Sequence, residues 1–201
     1  MPIDPNLREF EITSHISLAR LDPLALADLR EKGECDLSLR ETLFDSDYPG
    51  HYMRRLKSVS LTVPCAVGPY TGEAVTITLV SNKVRIVTSS LPQYCEQGPN
   101  DPRFAYSVGA IQSVATSSAD NDSGLFEVSA RDARYLPFEG AGAISQWRLD
   151  MRTPNKQFDF STISDVVLHL RYTAREASAT FRKRAVAATR ARRKQPRPRS
   201  I

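Results

Sequence analysis

Very little in this sequence would staple it, thread it through a membrane or arm it for catalysis. It has only three cysteines, Cys35, Cys65 and Cys95, and three cannot all pair with one another. None belongs to a CxxC or a Cys/His cluster, so neither a disulfide framework nor a zinc site organises the chain, and all three read as free thiols. No apolar run approaches the roughly 18 residues a membrane-spanning helix needs. The opening MPIDPNLREFEITSH has neither a basic n-region nor an apolar core, so no secretion signal is expected. The three histidines, His15, His51 and His169, are far apart in sequence and have no evident Ser or Cys partner. A nucleophilic triad is therefore not expected. A chain of 201 residues does not need such devices to fold, since that length buries roughly 70% of its unfolded surface.

Acidic residues are missing from one place in particular. From Arg182 onward there are nine Lys or Arg residues and no Asp or Glu. The rest of the chain holds 18 basic against 23 acidic residues, about −5, so the net charge of +4 belongs to the tail. That tail has no interleaved aromatics on which bases could stack, so no nucleic-acid role is expected for it. Its Ala, Arg and Glu content from Ala174 to Lys194 favours a helix. Phe181 and Val186 give that helix little apolar face, and the Pro-rich end is read as disordered. Residues 182–201 are expected to be peripheral and at most a frayed helix.

What is present is period-two patterning. Residues 8–18 suit a strand, and Asp22-Pro23 then caps and opens a helix with Leu24, Leu26 and Leu29 on its face, ending at Gly33. Leu37 and Leu39 alternate with polar residues. Val59, Leu61 and Val63 do so up to Pro64, as do Val75, Ile77 and Leu79. Ser81-Asn82-Lys83 predicts a tight connection, and residues 89–103 a long surface loop. Further strands are expected at 111–116, at 125–128, at 144–151 with Trp147, Leu149 and Met151 on one side, and at 166–172; Phe158 to Phe160 reads as short and extended. Many short strands with no βαβ alternation predict a mainly β protein. The expected architecture is an antiparallel β-sandwich over residues 1–176, with one short N-terminal helix and a basic helical or disordered tail over 177–201.

Two fragments resemble ligand motifs and fall short. Asp120-Asn121-Asp122-Ser123-Gly124 looks like half a calcium loop, but counting from Asp120 the twelfth position is Arg131 rather than the required Glu. Gly140-Ala-Gly142 is part of a phosphate-loop pattern with Ser145 in place of the third glycine, and reads as a backbone crossing between sheets. No metal, cofactor or catalytic residue is assigned.

The most distinctive stretches are YPGHYMRRLKSVSLTVPCAVGPYT (48–71), DPRF (101–104), GAIQSVATSSADNDSGLFEVSARDARYLPFEGAGAISQWRL (109–149) and FDFSTISDVVLHLRYTARE (158–176), with SHISLARLDPLALADLREKGECDLSLRETLFD (14–45) ahead of them. Through them the chain, over about residues 8–176, resembles the C-terminal region of bacterial Tc toxin A components. The resemblance implies a β-sandwich that docks the B component of the TcB–TcC cocoon, within a large translocating channel that forms a homopentamer only as a complete A component. It places the toxic enzyme in the C component, so this module would be non-catalytic, without cofactors or membrane contact of its own, and would work outside the bacterium as part of a released complex. The basic end after Ala177 departs from the family pattern.

Docking surfaces favour Tyr, Trp and Arg. The candidate partner-binding residues are Tyr48, His51, Tyr52, Arg103, Phe104, Arg131, Arg134, Tyr135 and Phe138. The competing expectation is that the aromatics pack internally and the arginines pair with Asp101 and Asp132. An alternative function is a carbohydrate-binding β-sandwich, which requires a solvent-facing aromatic platform.

Overall fold

The computed structural model describes residues 8–64, 74–88, 93–98, 100–107, 112–117, 125–128, 137–152 and 159–194. In chain order the elements are β1 (Glu9–Ser17), α1 (Leu18–Leu21), α2 (Pro23–Lys32), β2 (Glu34–Leu39), α3 (Glu41–Asp47), β3 (His51–Pro64) and β4 (Ala74–Arg85). They continue with β5 (Phe104–Ser107), β6 (Gln112–Ser117), β7 (Leu125–Val128), β8 (Ile144–Asp150), a 3-10 turn (Phe160–Thr162), β9 (Val167–Glu176) and α4 (Ala179–Lys194).

Two antiparallel sheets result, one ordered β1-β9-β3-β7 and the other β2-β8-β4-β5, with β6 also paired to β4. The alternating residues do what their period demands. Leu61, Leu168, Leu170 and Tyr172 from the first sheet share one core with Leu37, Ile77, Trp147 and Leu149 from the second. Trp147 is fully buried; its ring meets Phe138 edge-on at 4.8 Å and its Nε1 donates to Ser145 Oγ at 2.7 Å. This satisfies the one polar atom that the indole takes into the core. Cys35 lies in the same core, where burial pushes its thiol up to about 12.

α2 forms where its caps specify. Asp22 Oδ1 accepts from the Leu24 and Ala25 amides, Pro23 occupies the first turn, and Gly33 stops the helix at φ 76. Leu26 and Leu29 are buried with Ala25, but Leu24 is 62% exposed. It sits two residues from Leu26, about 200° around the helix.

The glycine crossing is present. Gly140 N donates to Leu56 O and Leu56 N to Ala141 O, while Ala143 N donates to Arg54 O, so the segment runs along β3. Gly142 N donates across to the Asn82 side chain of β4 at 2.8 Å. A Cβ at Gly142 would lie 2.2 Å from the Lys83 carbonyl oxygen, so only glycine lets the two sheets' backbones approach this closely.

Several expectations are corrected. Ser81-Asn82-Lys83 is no turn: β4 runs through it, absorbing the irregularity as a register shift against β8 between Leu79 and Ser81. α3 falls where no element was anticipated. Part of the 89–103 segment goes inside, with Tyr94, Asp101 and Arg103 all buried. Phe160 opens a 3-10 turn capped by Asp159, whose Oδ1 accepts from the Ser161 amide. Finally α4 is docked rather than peripheral, because Phe181 and Ala185, one turn apart, are buried together against Tyr94. Residues 65–73 and 118–124, the latter with the calcium-loop-like Asp120–Gly124 run, lie outside the described residues.

Candidate functional site

Three features compete for a functional role. The first is an aromatic corner where β1, α3 and β3 meet. Tyr48, at the end of α3, is 42% exposed, and Phe10 on β1 is 41% exposed. Between them sits His51, its ring 6.1 Å from Tyr48 and 5.7 Å from Phe10, both edge-on. His51 is itself buried, and burial together with the nearby Arg54 charge lowers its pKa. It is therefore neutral at physiological pH and supports the two exposed rings as an apolar wedge.

The second feature lies beneath. Arg54 Nη2 donates to Asp45 Oδ1 at 2.7 Å and to the Tyr48 carbonyl at 3.1 Å, and Tyr94 Oη donates to Asp45 Oδ2 at 2.6 Å. Arg85 reaches Glu41 through Nε and Nη2, both at 2.6 Å, and the Tyr94 carbonyl at 2.8 Å. Its guanidinium also lies over the rings of Phe104, Tyr94 and Phe181, at 4.4, 4.9 and 5.6 Å. Burial pushes the Glu41 carboxyl up while Arg85 opposes it. Both carboxylate oxygens accept a hydrogen bond from Arg85, the bidentate geometry of an ionised pair. These residues tie α3, β3, β4, the 93–98 segment and α4 into one block. Their charges pair with one another inside the fold, although Arg54 Nε and Nη1 are buried without a hydrogen-bond partner.

The third is a groove of about 650 Å³ beside that block, bounded by Arg40, Cys95, Tyr106 and Arg192, with a floor that includes Ser38, Ser81 and Gln146. Elsewhere, β1 and β9 bring two histidines together that are distant in sequence: His15 and His169 face each other in register with their Nδ1 atoms 2.5 Å apart, and His169 Nε2 contacts Thr62 Oγ1 at 2.8 Å.

The family model for the Tc toxin complex TcA C-terminal TcB-binding domain matches residues 2–174. The chain belongs to that family. It is 35% identical over 189 residues to the toxin subunit YenA2 of Yersinia entomophaga, a match covering 89% of this chain and 14% of that subunit. The chain thus spans only a small part of this relative's length. It also shares its fold with the TcaA–TcaB structure from Yersinia pseudotuberculosis, with a TM-score of 0.51 and 22% identity, over 84% of this chain and 10% of the other. The matched TcA region ends before α4.

Within this TcA-type domain the sequence-derived candidates separate. Tyr48 is exposed, His51 is buried beside it, and Tyr52 is half-buried against the Tyr94–Phe181 cluster. Arg103, Phe104 and Phe138 are inside. Arg103 pairs with Asp101, as the competing expectation had it, and also donates to the carbonyls of Gln93 and Cys95. Arg131, Arg134 and Tyr135 lie outside the described residues, as does Asp132. Phe10 was not among the candidates: it shares the parity of the inward residues Ile12, Ser14 and Ile16 of β1 but lies near the strand's outer end, where it is exposed. Burial of Trp147, Phe138, Phe104 and Tyr94 counts against an aromatic platform for sugars made from those rings.

Proposed function

We propose that this domain is a non-catalytic docking module of a Tc-type toxin A component, and that it binds the B component of the TcB–TcC cocoon. The family membership over residues 2–174 carries the proposal. It acts as a homopentamer only within a complete A component, and in a complex released from the bacterium. No helix among the described residues is long and apolar enough to cross a membrane, and membrane passage is assigned to other parts of such a component.

The corner of Phe10, Tyr48 and His51 is the docking contact best supported by exposure. Two protruding rings on a supporting imidazole make a pre-organised anchor, which lowers the ordering cost of binding. Arg103, Phe104 and Phe138 then act from inside, by fixing the loops. The sequence candidates Tyr52, Arg131, Arg134 and Tyr135 complete the proposed surface.

The test is capture of a purified B–C cocoon by the 201-residue chain, displayed both singly and as five copies on a pentameric scaffold. Retention on the scaffold supports the assignment. A cocoon that flows through both columns overturns it.

A further inference from the structure

The groove beside α4 holds an unbalanced charge. Its lining contains two carboxylates, and both are already engaged. Glu41 accepts both hydrogen bonds from Arg85, and Glu96 is bonded by Lys83 Nζ and by Tyr106 Oη. Two arginines remain, Arg40 just before α3 and Arg192 near the end of α4, and neither makes an ion pair with a described residue. They face the same space from different elements. Both side chains are exposed, and partial desolvation followed by repulsion from Arg40 lowers the Arg192 pKa.

Ser38, Ser81 and Gln146 give one part of the lining, its floor, a polar and uncharged character, while Leu39, Phe104 and Ile144 bring apolar surface to the same groove. Ser38 and Gln146 are register partners across β2 and β8, and Ser81 on β4 donates to Gln146 Oε1 at 3.0 Å. The volume of about 650 Å³ falls within the roughly 300–1,000 Å³ typical of small-molecule sites. Two guanidiniums lining one cleft, close enough to repel each other, make an arrangement suited to an oxyanion, because each offers planar paired donors.

We propose that this groove is a binding site for a small oxyanionic ligand, a phosphate or carboxylate compound, gripped by Arg40 and Arg192 over the Ser38–Gln146–Ser81 floor. The site is separate from the aromatic corner and does not depend on the docking assignment. Because Arg192 belongs to α4, the site also gives the basic helix a specific role: one of its arginines completes a pocket.

The experiment is calorimetric titration of the 201-residue chain with pyrophosphate and, separately, with citrate at low salt. Arg40→Gln and Arg192→Gln are compared with Lys183→Gln, which removes the same charge from an exposed position outside the groove. Saturable binding of either anion, weakened at least about tenfold by each arginine change and less than about twofold by the lysine change, is the expected result. Pyrophosphate binding alone assigns phosphate chemistry, and citrate binding alone assigns carboxylate chemistry. Cys95 lines the groove and is exposed, so bound anion should also slow its alkylation, read on the Cys95 peptide in the unaltered chain. Three outcomes overturn the proposal: no binding of either anion below about 10 mM, equal losses in Lys183→Gln and Arg192→Gln, or a Cys95 alkylation rate indifferent to saturating anion.

Discussion

Arg85 grips Glu41 with two parallel hydrogen bonds of 2.6 Å, joining β4 to α3 in the interior. Removing one member leaves the other charge buried and unanswered. Glu41→Gln should therefore destabilise the domain by about 3–5 kcal/mol, the usual cost of breaking a buried pair from one side. Urea denaturation measures this directly. A loss below about 1 kcal/mol would mean that water reaches Arg85.

Phe181 docks α4 against Tyr94, with ring centroids 5.2 Å apart. Phe181→Ala should cost about 3 kcal/mol. For a chain of this size that lowers the thermal midpoint by roughly 6–12 °C. Truncation after Ala179 should cost at least as much. An unchanged midpoint in the truncated chain would return α4 to the peripheral role its composition suggested.

Asp101 accepts from Arg103 Nε and Nη2 and from the amides of Gln97 and Arg103, and the Arg103 guanidinium holds its pKa well below the ordinary 3.8. A carboxyl depressed in the folded state contributes stability that is fully present above its ordinary value. That contribution is lost as pH falls toward the folded value. The wild type should therefore lose stability between about pH 4 and pH 2 more steeply than Asp101→Asn, which starts lower and varies less. Parallel slopes in thermal melts across that range would contradict the assignment.

Gly142→Ala forces a Cβ to within 2.2 Å of the Lys83 carbonyl. The backbone there has to shift, at a cost of about 1–3 kcal/mol. Loss of hydrogen-exchange protection should centre on the β3–crossing–β4 contacts rather than on α2. Uniform loss would point to global destabilisation instead.

Tyr48→Ala and Phe10→Ala should each weaken cocoon binding about tenfold or more, in keeping with central aromatic anchors. Both rings protrude, so thermal midpoints should barely move. Unaltered affinity in the double variant would relocate the docking surface away from this corner.

Much of the sheet structure was legible because strands facing a common core repeat every two residues. The caps of α2 were legible too, since Asp22, Pro23 and Gly33 act on their own neighbours. α3 was not. Its residues at i and i+4, Glu41 and Asp45, are the polar ones that turn inward, and their partners Arg54 and Arg85 lie on other elements. A pattern that equates polar with exposed reads such a helix as solvent-facing loop. Phe44, buried between them in sequence, was the available signal. The same blindness hid Tyr94 and Arg103 in a segment that looked like surface. Long-range register was also invisible: nothing local says that His15 meets His169 or that Arg192 meets Arg40.

The first and last strands lie side by side and antiparallel, with Glu9 opposite Arg175 and Ser17 opposite Val167. A load applied at Glu9 and at Glu176, the outer ends of these two strands, would therefore act on the outermost pair first. It would peel β1 from β9 one rung at a time, like a zipper, instead of shearing all the rungs at once. Pulled at those two points, the domain should open at low force from this edge, with the Leu168–Leu170–Tyr172 core of β9 exposed early. Held through one end alone, it has no such weak seam under tension.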